Sequence, residues 1–170
     1  PQTAVATKAR VAFAGMLADS TDQKSADTFT NANASAEIPF GVMVKKHATD
    51  FELCDVLGAT SDKLAGVLLH SHNYNISNEL GTSGLKPKVA GSVLTQGHVW
   101  VVCDEAVVPG DAVRVRTSAA GGGLGTFRKS AVAGNSINLS AFAQWVHYDA
   151  TSGLAVLSID MRDAAGGVAD

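Results

Sequence analysis

Apolar and polar positions alternate with a period of two along most of the chain, the signature of half-buried strands, and no helix of ordinary length is needed. A weak alternation over 10–16 halts at Gly15. Strand patterns follow at 38–46, 51–57 and 64–70. Segments 89–95 and 98–103 flank Gln96-Gly97, which reads as a hairpin turn. Val107-Val108 and 113–116 flank Pro109-Gly110. Proline presets the first central position of a type II turn there, and glycine supplies the positive φ of the second. Segments 143–148 and 153–159 are the last strands, joined by a turn at 149–152. This amounts to roughly nine or ten short strands separated by turn signals. The fold class expected is all-β: a single-domain β-barrel or jelly-roll-like sandwich over 1–170, with long polar loops.

Two polar stretches interrupt the pattern. Residues 19–36 are mostly Asp, Ser, Thr, Asn and Ala, with one large apolar residue, Phe29. The stretch carries no apolar periodicity, so it reads as an extended loop or arm free to contact a partner, with Phe29 as its anchor. Residues 73–87 read as a second long loop, and 164–170 as a flexible tail.

Composition narrows the function classes. Apolar residues are 46% of the chain and charged residues 17%, against roughly 25% charged in average domains, which disfavours disorder. The net charge of −3 gives no overall basic field for a phosphate backbone, so no nucleic-acid partner is expected. No apolar run approaches the length of a membrane helix, and the first residues have no signal-peptide core, so neither a membrane nor secretion is expected. Cys54 and Cys103 each sit in an apolar strand-like run and read as buried reduced thiols.

Candidate chemistry is sparse. His70-Ser71-His72 places two imidazoles on one face if it lies on a strand, and Glu79 follows, which resembles the ligand set of a cupin-like metal-binding barrel. The step from His72 to Glu79 is too long for that set, so His70, His72 and Glu79 are weak metal candidates and no cofactor is expected. The glycine-rich 119–125 lacks the lysine that a phosphate loop needs after it and reads as a loop tip. Asp104 and Glu105 are neighbours, so on a strand they would point apart. They read as a solvated strand end rather than an acid–base pair. Trp100, Trp145, Tyr74 and Tyr148 are the aromatic side chains open to a carbohydrate-binding or host-adhesion module, with Trp100 reading as core. No catalytic set emerges, and the chain is not expected to be an enzyme. Arg114 and Arg116 alternate with Val113 and Val115, and Arg128 and Lys129 follow the glycine loop. These four cations read as a basic strand face, either solvated or docked on an acidic protein surface.

A series of blocks resembles the structural cement proteins that decorate the capsids of tailed phages. It opens with Phe13-Ala14-Gly15-Met16-Leu17-Ala18-Asp19 and continues through Ile38-Pro39-Phe40-Gly41, Ala65-Gly66-Val67-Leu68-Leu69-His70-Ser71-His72 and Glu79-Leu80-Gly81-Thr82-Ser83-Gly84-Leu85-Lys86-Pro87. Gly97-His98-Val99-Trp100-Val101 and Pro109-Gly110-Asp111-Ala112-Val113-Arg114-Val115-Arg116 complete it. The resemblance runs from about Val11 to Ile159, and the order of the blocks is its specific part. It implies a barrel or jelly roll that binds the outer surface of an icosahedral shell, with the major capsid protein as partner. It also implies a homo-oligomer, a dimer ahead of a trimer, made in the host cytoplasm and carried on the virion. It brings no active-site residue with it.

Overall fold

The structure is a computed structural model that describes residues 12–18, 24–50, 52–70, 84–120, 122–161 and 168–169. Among these the chain is all strand, turn and loop. The strands are β1 (Ser25–Asn31), β2 (Met43–Lys46), β3 (Leu53–Val56), β4 (Leu64–Leu68), β5 (Ala90–Val102), β6 (Arg114–Arg116), β7 (Phe127–Arg128), β8 (Ser136–Asn138), β9 (Ala143–Asp149), β10 (Leu154–Asp160) and β11 (Val168–Ala169). Seven of them form a sheet in the order β1-β3-β2-β4-β5-β10-β9, and β1 also pairs with β5. That extra pairing closes β1, β3, β2, β4 and β5 into a barrel, with β10 and β9 extending its wall. A second sheet runs β11-β8-β6-β7. The expected all-β, single-domain barrel is the fold observed.

The long strand β5 organises both parts. Its first half pairs with β1, from Thr30 opposite Ala90 to Ser25 opposite Gln96. Its second half pairs with β10, from Asp160 opposite Gln96 to Leu154 opposite Val102. The hairpin expected at Gln96-Gly97 is therefore absent. Gly97, at φ +134°, sits inside the strand where one partner gives way to the next. β5 is also a wall between two apolar cores. Val93 packs with Phe29, Ile38, Phe40, Val44, Cys54, Leu68 and Leu85 in one. Leu94, Val99 and Val101 pack with Val113, Val115, Phe127, Ile137, Trp145 and Leu157 in the other. A strand buried on both faces loses strict alternation, as the runs Val93-Leu94 and Val99-Trp100-Val101 do.

The polar stretch 19–36 is corrected most. From Ser25 to Asn31 it is β1, paired antiparallel with β5 and parallel with β3. Residues 19–23 lie outside the described residues. Phe29 is 5% exposed and belongs to the core with Ile38 and Leu85, so it anchors nothing outside the molecule. The next residues are pinned as well. Asn31 is fully buried and its Nδ2 donates to the carbonyls of Leu85 at 2.9 Å and Ala36 at 3.1 Å. Its Oδ1 accepts the Asn33 N–H at 2.9 Å.

Smaller differences follow the same logic. Of 38–46 only Met43–Lys46 is strand, and Ile38 makes an isolated bridge to Leu85. Val107-Val108 is not strand, although the turn after it forms. The Asp111 N–H donates to the Val108 carbonyl at 3.1 Å, with Gly110 at φ +98°. Within the tail 164–170, Val168–Ala169 pairs with β8, and the rest lies outside the described residues. Residues 12–18 lie along the second half of β5, where Gly15 donates to the Trp100 carbonyl at 2.7 Å and Ala18 to that of His98 at 2.9 Å.

Candidate functional site

The four expected cations converge where β5 leaves the main sheet and meets the second one. The Asp104 N–H donates to the Phe127 carbonyl at 2.9 Å, which carries Asp104 and Glu105 onto the flank of β7. β6 lies between β7 and β8, with Arg114 directly opposite Arg128. The valines alternate inward as expected, since Val113 and Val115 are fully buried.

The arginines do not form a solvated face. Arg116 is 6% exposed. Its Nε and Nη2 each lie 2.9 Å from Asp104 Oδ2, and its Nη1 donates to the Ala120 carbonyl in the glycine-rich loop. Thr126 Oγ1 adds a third donor to Asp104 Oδ2 at 3.0 Å. Arg128 Nη2 pairs with Glu105 Oε1 at 2.6 Å, and Ser130 Oγ donates to Glu105 Oε2 at 2.8 Å. Arg114 Nη1 donates to the Lys129 carbonyl at 2.6 Å. Lys129 Nζ lies 3.6 Å from Asp111 Oδ2. Asp104 and Glu105 are thus the counter-charges of two arginines; Asp104 as a residue is exposed, as a solvated strand end would be, but its side chain is only 17% exposed. Adjacent residues on an extended chain point apart, and here each meets one cation.

The glycine-rich loop is fastened to this network. The Gly125 N–H donates to the Arg116 carbonyl at 2.9 Å, and a Cβ at Gly122 would lie 2.9 Å from both Arg116 Nε and Asp104 Oδ2. Sequence reasoning named the cations but missed their acids. The available signal was three carboxylates, at 104, 105 and 111, close in sequence to four cations that would otherwise crowd one strand pair.

The other candidates are dispersed. His70 lies just beyond β4, its ring 5.9 Å from Phe13 and 5.0 Å from Phe40 by centroid. His72 and Glu79 lie outside the described residues, and among those described no group of three metal-ligating side chains comes together. Trp100 and Trp145 are both buried, and Trp145 Nε1 donates to the Ala112 carbonyl at 3.0 Å, so they offer no paired sugar platform. Tyr74 lies outside the described residues, and Tyr148 is half-buried against the core. Cys54 and Cys103 are both buried and free, as expected. Burial pushes each thiol up to about 11.

A closed barrel with a second sheet locked to it by internal ion pairs defines an all-β protein of two joined sheets. The family model described as "Structural cement protein (E217 gp24/Pam3 gp6)" matches residues 1–167. The chain therefore belongs to this phage structural cement family, whose members are structural components of the capsid and hence of the virion. A chain from the solved structure titled "The capsid of Myoviridae Phage XM1" shares the fold. Its TM-score is 0.70 at 18% sequence identity, over 92% of this chain and 95% of that one. No curated protein matches the sequence.

Proposed function

We propose that the protein binds the outer surface of an icosahedral capsid and stabilises the contacts between neighbouring capsomers, acting without catalysis. The family match over residues 1–167 carries this reading. The fold is suited to it, because a closed barrel and a fastened second sheet form a rigid body that loses little conformational freedom on docking. Its partner is the major capsid protein. A rigid body bridging two capsomers raises the effective concentration of each contact for the next, so modest individual contacts accumulate over a shell. Self-association, a dimer ahead of a trimer, would repeat the contact at a local symmetry axis.

Of the residues expected at the docking surface, Lys129 has a side chain 42% exposed and Arg114 is half-buried. Arg116 and Arg128 support the surface from beneath. The experiment is add-back to shells assembled without the protein. Saturable binding should raise the temperature at which the shells disrupt, and saturated shells that disrupt at the same temperature as bare ones would overturn the proposal.

A further inference from the structure

Outside the arginine network a cluster of lysines lies at the far end of β2. An open cleft of about 450 Å³ is lined there by Lys45, Lys46, His47, Asp55, Asp62 and Lys63. Lys45 is matched within the molecule. Its Nζ lies 3.3 Å from both Asp62 oxygens, and Asp55 stands opposite it across β2 and β3. Asp62 is further occupied by the N–H groups of Gly58 and Ala59 at 2.8 and 2.9 Å.

Lys46 and Lys63 have no such match. The Lys46 N–H donates to the Lys63 carbonyl at 2.8 Å, so the two residues are neighbours across the β2–β4 pair. Both are exposed, and neither has an ion pair among the described residues. Like charges facing each other across strands destabilise a sheet. Arg114 and Arg128 also face each other, yet that pair is served by Glu105 and the Lys129 carbonyl. In a chain of net charge −3, an uncompensated cation pair beside a cleft is the complement of an anion supplied from outside.

We infer that Lys46 and Lys63 dock an acidic, carboxylate-bearing segment of the shell protein in this cleft, the source of that segment resting on the shell-binding function proposed above. A carboxylate fits better than a nucleic-acid phosphate. Among the described residues no Phe, Tyr or Trp lines the cleft to stack a base, and Asp55 and Asp62 in its wall oppose a long polyanion. One or two carboxylates would be held by lysine ammonium donors without burying more negative charge beside Asp62.

The test uses the full chain and its Lys46→Glu/Lys63→Glu variant. Each is titrated against shells assembled without the protein, a short peptide of alternating Asp and Gly, and an oligonucleotide of equal charge. Wild type should bind shells and peptide, and the variant should bind both about tenfold more weakly, with the gap narrowing as salt rises from about 50 to about 300 mM. Both positions are exposed, so thermal melting should not change. If charge reversal does lower it, Lys46→Gln/Lys63→Gln gives the same reading with less strain. A folded variant that fills shells with wild-type affinity overturns the inference, as does tighter binding of the oligonucleotide than of the peptide. Lysine-dependent peptide binding by a protein that ignores shells would uphold acidic docking while removing the shell-binding function. Lysine-independent peptide binding would overturn the docking site itself.

Discussion

Arg116 holds Asp104 through two nitrogens at once, Nε and Nη2 each 2.9 Å from the same carboxylate oxygen. The side chains are 8% and 17% exposed, so water screens this pair little. Asp104 lies two residues past the end of β5, Arg116 ends β6, and the guanidinium reaches on to the Ala120 carbonyl, so one ion pair ties the end of β5 to the second sheet and the glycine-rich loop. Asp104→Ala would leave a buried guanidinium without its counter-charge, a change that costs about 3–5 kcal/mol. The urea midpoint should fall with little change in slope. Replacing both partners, Asp104→Leu with Arg116→Met, should recover most of the loss, because no unpaired charge remains. Lys129→Ala, at the exposed and longer pair with Asp111, should stay within about 0–1 kcal/mol. A loss below about 1 kcal/mol for Asp104→Ala would mean that solvent reaches the pair after all.

Phe29 separates a folding role from a binding role. It faces Gly91 across β1 and β5 and fills the barrel beside Ile38 and Leu85. Phe29→Ala should therefore cost about 3–5 kcal/mol in thermal or urea unfolding. The fraction that remains folded should bind shells with unchanged affinity. Full stability with weakened binding would restore Phe29 to an exposed arm.

The errors in the sequence reading share a physical origin. Strands β4, β9 and β10 were legible because they bury apolar side chains at strand spacing. β1 was not, because it closes the barrel with backbone hydrogen bonds, which leave no mark in side-chain chemistry, while Ala26, Asp27 and Thr28 are all exposed. Gln96-Gly97 carried a turn signal, but the chain uses that glycine at an exchange of strand partners. At the candidate site the cations on β6 and β7 were legible individually. Their burial was not, because it depends on Asp104 and Glu105 arriving from another sheet through the Cys103–Phe127 bridge, a long-range contact that local pattern does not encode.

Gly66 offers a sharper test of the barrel. It lies on β4 at φ +144°, and a Cβ there would sit 2.3 Å from the Leu94 carbonyl oxygen, a backbone atom that cannot swing away. Gly66→Ala should force β4 and β5 apart and cost more than about 4 kcal/mol, or prevent folding. Gly110→Ala is the control. That residue has φ +98° but nothing within 4 Å of the added methyl, so the change should cost only about 1–2 kcal/mol of backbone strain. Similar melting temperatures for the two variants would place β4 further from β5 than the Gly66 geometry requires.

The two thiols give the protein a stability that depends on alkaline pH. Burial raises both from an ordinary 9.0 to about 11, reinforced at Cys54 by the neighbouring Asp55. At Cys103 the Glu105 backbone works against that rise without cancelling it, while the thiol's own bond to the Glu105 carbonyl at 3.0 Å favours the protonated form. The unfolded chain loses these protons as pH passes 9.0, whereas the folded chain keeps them until about 11. The folded state then binds more protons than the unfolded one across that interval, so stability falls with rising pH. The contribution is complete below 9.0 and is lost as pH rises through about 11. Lysines also titrate there, so the measurement compares wild type with Cys54→Ala/Cys103→Ala by urea unfolding across that range. The variant should start less stable, from the lost packing, and decline less steeply. Iodoacetamide should label the native protein slowly near neutral pH and rapidly in urea, because only the exposed thiolate reacts. Parallel pH slopes for the two proteins, or rapid native labelling, would place the thiols at the surface and contradict their burial.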